Sequence, residues 1–170
     1  ARLSVIEFKG GSDHPGYYIG MIEEITERKQ SEQKIRESEE LYRALFENSG
    51  EGLFLMTRQF VDCNEHAAEI FKCRRADICG KSPVDFSPEF QPDGTRSTDK
   101  ANEHIENAYA GNTSRFNWKH RRLDGIEIDT EVSLKSVTIS GNTMLLATVR
   151  DISERVRIEK ELHESLIQLD

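Results

Sequence analysis

Several features that mark membrane proteins and nucleic-acid-binding proteins are missing from this sequence. No apolar run approaches the roughly 18 residues of a membrane-spanning helix, so we expect no contact with a bilayer in this segment. Acidic residues outnumber basic residues by 31 to 23, which gives a net charge of −8. Such a chain lacks the positive surface that nucleic acids bind, so we expect no nucleic-acid partner.

Cysteine is also scarce. Cys63, Cys73 and Cys79 are odd in number and lack the spacing of metal ligands, which argues against a disulfide framework and against a zinc site. The pattern predicts no bound metal and three reduced thiols in a cytoplasmic protein. A redox switch between Cys73 and Cys79 is the alternative.

Catalytic motifs are absent as well. His163–Glu164 lacks the second histidine of a zinc protease motif, and Asp93–Gly94 and Asp124–Gly125 are typical of turns. Neither a Ser/His/Asp arrangement nor a glycine loop that could hold phosphate occurs. We therefore expect no catalytic residues and no enzymatic activity in this segment.

One short pattern occurs twice. The sequence "IEEITER" fills residues 22–28 and "VRDISER" fills residues 149–155, at a constant offset of 127 residues. In the second copy Asp151 can cap a helix and Glu154 has capping-box spacing, with Ser153 as a competing cap.

Each copy is predicted to join a strand to a helix that leads onward. Ile152 then needs apolar cover, and Glu24 in the first copy is a poorer cap, so that joint should be looser. The predicted exit motif consists of Asp151, Ile152, Ser153, Glu154 and Arg155.

Both copies are followed by a helical pattern. Residues 26–48 contain no Gly or Pro and are rich in Glu, Lys, Arg and Gln, which favours a helix. Residues at steps of three and four form a stripe with a period of 3.5, as a coiled coil requires. A solvated single helix is the alternative. The predicted dimer helices carry Ile35, Tyr42, Leu45, Ile158, Leu162 and Leu169.

Alternating patterns predict the strands. Residues 3–8 and 17–22 form a hairpin that is too small to be stable alone. Residues 52–57 and 60–64 form a strand pair, after which Asn64 can cap a short helix. Three further antiparallel strands are predicted at 114–122, 126–137 and 143–149. One side of the first strand carries Phe116, Trp118 and His120, and one side of the second carries Ile126, Ile128, Thr130, Val132 and Leu134.

One longer helix is predicted between these strand groups, over residues 97–111. Thr98 or Asp99 can cap its start, and Gly111 can end it. Ala101, Ile105 and Ala108 share one face. The order of elements predicts an α+β domain with its helices on one face of the sheet.

Four stretches together resemble the PAS family of sensor modules. "SEELYRALFENSGEGLFL" is similar to the family's first helix and strand, and "VDCNEHAAEIF" to its second strand and following helix. "FNWKHRRLDG" with "IEIDTEVSL" resembles its paired central strands. "VRDISER" is similar to its exit motif, usually written D-I-T-E-R.

The resemblance implies a five-stranded antiparallel sheet, helices over one face and a pocket between them. It implies a homodimer linked by helices and connected to an output domain: a histidine kinase, a diguanylate cyclase or an HD-GYP phosphodiesterase. The implied parts are the last two strands of an upstream PAS module (1–25), a linker helix (26–48), a PAS domain (49–152) and an exit helix (153–170). A ligand-free spacer that only holds a dimer is the alternative function.

The predicted pocket could hold a small organic ligand or could be a packed, empty core. Its predicted lining is Phe54, Met56, Asn64, Phe71, Ile105, Phe116, Trp118, Leu134 and Val149. Non-covalent flavin stays open, because Trp118 and Asn64 resemble residues that border FAD in some PAS proteins.

Two other cofactors fit the sequence poorly. Flavin chemistry of the LOV type is rejected, because "VDFSPEFQ" lacks the reactive cysteine. His104 lies too near Gly111 for the iron ligand of haem-binding relatives, which argues against haem and for a half-buried or solvated helix residue. His120 could face the pocket or the strand's rim, and we interpret it as a structural or exposed histidine.

Overall fold

A computed structural model describes residues 2–8, 12–13, 16–23 and 26–167. The chain divides into two compact units, residues 1–45 and residues 46–170.

The first unit contains a hairpin and most of a long helix. Strand β1 (Arg2–Phe8) pairs antiparallel with β2 (Tyr17–Glu23), and helix α1 spans Thr26–Glu47. The predicted hairpin and helix are therefore confirmed, and pairs such as Arg28 with Glu32 at 2.8 Å follow one face of α1. The predicted looser cap at Glu24 lies outside the described residues.

The second unit is built on one five-stranded sheet. Its order is β4-β3-β7-β6-β5, and every neighbouring pair is antiparallel. The last strand in sequence therefore lies at the centre. The strands are β3 (Gly52–Met56), β4 (Phe60–Cys63), β5 (Ser114–Arg121), β6 (Glu127–Ile139) and β7 (Asn142–Asp151).

Helices accompany this sheet, which makes the fold α+β as predicted. The buried faces of the helices meet the inward side chains of the sheet in one apolar core. These elements are α2 (Glu65–Phe71), α3 (Arg75–Ile78), a 3₁₀ helix (Pro83–Phe86), α4 (Ser97–Tyr109) and the exit helix α5 (Ser153–Ile167).

The alternating pattern correctly predicted most of the side chains that the strands bury. In β6 the side chains of Ile128, Thr130, Val132 and Leu134 are buried, as the period of two predicts. Ile126 is an exception, because it precedes the strand and is 53% exposed. Its N–H bonds to the Asp124 carboxylate at 3.0 Å, so it belongs to the turn.

Helix α4 begins at Ser97, as predicted, but its cap differs from the prediction. Neither Thr98 nor Asp99 is its cap; Arg96 occupies that position and makes no side-chain cap bond. The preceding loop sets the helix start instead, because the Ser97 hydroxyl donates to the Pro88 carbonyl at 2.6 Å and the Ser97 N–H donates to the Glu89 carbonyl at 3.0 Å. The buried face with Ala101, Ile105 and Ala108 is as predicted.

Candidate ligand site

A mainly apolar cavity lies between the sheet and the helices. Its volume is about 50 Å³. Eight of the predicted pocket residues line it: Phe54, Met56, Phe71, Ile105, Phe116, Trp118, Leu134 and Val149. His120, for which the pocket was one of two predicted positions, also lines the cavity. Six further lining residues were not predicted: Phe60, Pro83, Ala101, His104, Val132 and Ala147.

The size of this cavity restricts what can enter it. A water molecule needs roughly 10–15 Å³ of such volume, and a cavity of about 150 Å³ holds benzene. A volume of about 50 Å³ therefore suits a molecule of about three or four non-hydrogen atoms. The ring system of a flavin or a haem does not fit this space.

The indole of Trp118 contributes an apolar wall. Its Nε1–H donates to the Ser87 hydroxyl at 2.9 Å, and that hydroxyl donates to the Pro83 carbonyl at 2.9 Å. The single polar group of the indole is thus already bonded within the protein. Trp118 can therefore contact a ligand only through its apolar surface.

His120 is buried and belongs to a polar chain behind the cavity wall. Its Nδ1 lies 2.8 Å from the Thr130 hydroxyl, which donates to the Trp118 carbonyl at 2.9 Å. Burial lowers the pKa of His120 to about 3, so the imidazole is neutral near pH 7. His120 is therefore a structural histidine that faces the cavity and not the rim.

His104 approaches the cavity from α4. Its ring stacks on Phe116 with centroids 3.5 Å apart and planes within 6°. Nδ1 lies 3.0 Å from the Ser114 hydroxyl, and burial lowers the pKa of this half-buried side chain. Among the described residues, no group of three His, Cys, Asp or Glu side chains is arranged to hold a metal ion.

Asn64 does not line the cavity, contrary to the prediction. Its Oδ1 accepts hydrogen bonds from the N–H groups of Leu53 (2.9 Å) and Ala67 (3.0 Å). Its Nδ2 donates to the carbonyls of Phe46 (2.9 Å) and Glu51 (3.0 Å). All four bonds hold backbone, so the predicted helix cap is confirmed and Asn64 also ties the end of α1 to β3 and α2.

The exit joint is fastened to the neighbouring strand. The Ile152 N–H donates to the Asp129 carbonyl at 2.8 Å, and the Asp129 N–H donates to the Ser153 hydroxyl at 3.0 Å. That hydroxyl also donates to the Asp129 carbonyl at 3.4 Å. Ile152 is buried, as the sequence predicted. Two consecutive residues of the joint, Ile152 and Ser153, are thus bonded to the backbone of Asp129 in β6.

The predicted capping box does not form at this joint. Asp151 still pairs with Thr130 in the sheet, and its carboxylate accepts from the Ser153 N–H at 2.9 Å. The helix begins at Ser153, one residue later than a cap at Asp151 requires. Within the described part of the chain, Glu154 makes no bond to Asp151, because β7 continues through that residue.

The predicted dimer positions are exposed. Ile35, Tyr42, Leu45, Ile158 and Leu162 are between 49% and 68% accessible in the single chain. Leu169 lies outside the described residues. Arg155 reaches only Glu159, at 3.8 Å, in an exposed pair of little energetic weight.

The three cysteines are free thiols. Cys63 is buried, and desolvation raises its pKa to about 12, while Cys73 and Cys79 are half-buried. No helix among the described residues is both long and apolar enough to cross a membrane.

Replacing His120 by Asn should flatten the dependence of stability on pH. The folded-state pKa near 3 lies below the ordinary 6.5, so between these values the unfolded chain binds a proton that the folded chain does not. Wild-type stability should therefore fall as the pH drops below 6.5, by up to about 1.4 kcal/mol per pH unit from this group, with no contribution above it.

Urea unfolding over a pH series measures this slope. An Asn side chain can still donate to Thr130, and it removes the titration. If the free energy of unfolding has the same pH dependence in both proteins below pH 6.5, the burial of a neutral imidazole is contradicted.

Comparisons with known proteins agree with this architecture. The family model described as the PAS domain matches residues 50–154. Sporulation kinase E of Bacillus subtilis (strain 168) is 25% identical over 152 residues, which cover 88% of this chain and 19% of that protein. The chain thus spans about a fifth of the length of this curated relative.

Two solved structures share the fold. The PAS domain of an HTR-like protein from Haloarcula marismortui superimposes with a TM-score of 0.64 at 21% identity, covering 73% of this chain and 99% of that one. The PAS domain of a LuxR-family transcriptional regulator from Burkholderia thailandensis, in complex with ethanol, gives 0.52 at 24% identity, covering 66% and 97%. With the family model matching more than half of the sequence, this chain belongs to the PAS domain family of sensor domains.

Proposed function

We propose that this segment is a sensory relay in which a small ligand or partner acts at the cavity and the exit helix transmits the effect to an output domain. One observation carries the proposal: the strand that lines the cavity is the strand that becomes the exit helix. Ala147 and Val149 of β7 line the cavity, and β7 ends at Asp151, directly before α5.

The first step of the relay runs from the cavity to the strand. β7 lies at the centre of the sheet, where Val149 pairs with Gly52 of β3 and with Val132 of β6. Close packing makes such an interior respond to volume changes as small as one methylene. A molecule that enters between Val149 and the helices therefore acts on β7.

The second step runs from the strand to the helix. Ile152 and Ser153 are bonded to the backbone of Asp129. The position of the first turn of α5 is therefore set by β6 and β7. The Val156 N–H donates to the Ile152 carbonyl at 2.9 Å, which makes the buried residue part of the first helical turn. A displacement at the end of the sheet is thereby passed to the helix.

The surrounding organisation is part of the same proposal. The β1–β2 hairpin serves as the end of a preceding PAS module, and residues 26–48 serve as a linker between modules. Residues 49–152 form the sensor, and residues 153–170 lead to an output domain that carries the chemistry. A relative that is a sporulation kinase favours a kinase output over a cyclase or phosphodiesterase. Free thiols favour a reducing cytoplasm.

A ligand-free spacer is the second candidate. The small volume of the cavity favours it, because side chains already fill most of the interior. The solved PAS domain in complex with ethanol favours the sensor, because ethanol is of the size that about 50 Å³ accommodates.

Substituting Ala147 by Val tests the relay. The added methyl groups point into the cavity and mimic an occupant, while a β-branched residue suits a central strand. We expect the Val156 amide to exchange several-fold more slowly, because β7 then has fewer alternative positions. Hydrogen exchange followed by NMR measures this rate.

Thr148→Val is the matched control, since Thr148 is the next residue along β7 and its side chain points to the opposite face of the sheet. Its Val156 exchange rate should equal that of the wild type. Equal exchange in all three proteins would reject the relay and favour the spacer.

The exposed stripe of α5 is proposed to form a homodimer. Ile158→Asp combined with Leu162→Asp places two charges on apolar positions, so small-angle scattering should show monomers where the wild type is dimeric. Arg157→Asp with Lys160→Asp changes the charge of the same helix outside the stripe and should leave the dimer intact. A dimer that survives the first pair would exclude this stripe as its cause.

A further inference from the structure

We propose that the cavity selects a small uncharged molecule that donates a hydrogen bond to Nε2 of His120, with short alcohols as the simplest class. This inference rests on the proposed ligand-binding function and specifies the chemistry of the ligand. Two features of His120 support it: Nδ1 carries the ring hydrogen, and Nε2 is left as an acceptor beside the cavity.

The hydroxyl of Thr130 decides the tautomer. It has one hydrogen, which it donates to the Trp118 carbonyl at 2.9 Å. The 2.8 Å contact between this hydroxyl and Nδ1 of His120 therefore requires that Nδ1 be the donor. Since the buried ring is neutral, Nε2 carries a lone pair and no hydrogen.

Nε2 faces open space. No protein hydrogen bond to it occurs among the described residues, whereas every fully enclosed side-chain nitrogen or oxygen of those residues has a partner. The side chain is only 6% exposed and lines the cavity, so the space beside Nε2 is the cavity. A ligand that fills this space without a donor leaves Nε2 unpaired, which is energetically unfavourable, and a donor on the ligand avoids that cost.

The other walls determine the rest of the ligand. Among the residues that the structure describes, no Asp, Glu, Lys or Arg side chain lines the cavity, so a charged molecule would be buried without a counter-charge. Trp118 Nε1 is bonded to Ser87, and the ring of His104 lies flat against Phe116. An uncharged molecule with an apolar body and one hydroxyl meets these conditions.

Three side chains separate the cavity from a groove on the surface. Pro83, Ala101 and Ile105 line the cavity and also an open groove between the 3₁₀ helix and α4. Movement of these three side chains would admit a molecule of three or four non-hydrogen atoms without unfolding of the sheet.

The test compares 2-propanol with acetone, which have the same heavy-atom skeleton and differ in the hydrogen-bond donor. Each is titrated into the ¹⁵N-labelled chain, and NMR follows the His120 ring nitrogens. Dissolved xenon serves as a probe of the cavity that needs no hydrogen bond. We expect 2-propanol to shift the Nε2 resonance and to bind about tenfold more tightly than acetone.

The outcomes separate this inference from the proposed function. Equal binding of acetone and 2-propanol, or binding of xenon alone, would overturn the donor preference and leave an accessible cavity. Failure of all three probes would overturn the ligand-binding function as well. Before any titration, the ring ¹⁵N shifts must show the Nδ1–H tautomer, and the opposite tautomer would refute the inference directly.

Thr130→Val provides a second, independent variant. It retains the shape of the side chain but removes the acceptor that holds the hydrogen on Nδ1, so the hydrogen is free to move to Nε2. The ratio of 2-propanol to acetone affinity should then fall to about one or below, while xenon binding persists. An unchanged ratio of the two affinities would show that His120 does not discriminate between ligands with and without a hydrogen-bond donor.

Discussion

The backbone of Asp129 holds the point at which the sheet becomes a helix. Its carbonyl accepts from the Ile152 N–H and its N–H donates to the Ser153 hydroxyl. These bonds lie beside the buried side chain of Ile152, where competition from water is weak. The direction of α5 therefore depends on the position of β6 and β7, and any account of signalling in this domain rests on that attachment.

Asn64 makes a second attachment toward the same end of the sheet, where Leu53 of β3 pairs with Thr148 of β7. Asn64 binds the Phe46 carbonyl in the last turn of α1, and the same side chain holds the N–H groups of Leu53 and Ala67. β3 and β7 are neighbouring strands, and both contribute side chains to the wall of the cavity.

Periodicity predicted the strands and most of the core, because burial on one face of an antiparallel sheet leaves a period of two. The five-stranded antiparallel sheet was implied by the resemblance to PAS modules, whereas the order of its strands was not predicted. The starts of α4 and α5, at Ser97 and Ser153, are as predicted, but their caps are not, since the first depends on loop bonds to Ser97 and the second on how far β7 pairs with β6. Local capping signals carry no information about such long-range pairing.

The hydrogen bonds of His120 could not be predicted for a related reason. Alternation grouped it with Phe116 and Trp118 on one side of its strand, but its bonding depends on Thr130 in the adjacent strand, ten residues away in sequence. Asn64 was wrongly predicted to line the pocket. Its side chain instead makes hydrogen bonds to four backbone groups, which leaves none for a ligand. Side-chain polarity alone does not reveal whether its hydrogen bonds serve the fold or a ligand.

The central claim is that occupancy of the cavity reaches α5 through the Asp129 attachment. The most direct measurement is the set of backbone amide shifts of residues 153–158 with and without dissolved xenon, in the wild type and in Ser153→Ala. The account predicts shifts on xenon binding in the wild type and markedly smaller shifts in the variant, with the shifts at the cavity itself retained. Identical responses of α5 in both proteins, or none in either despite bound xenon, would contradict it.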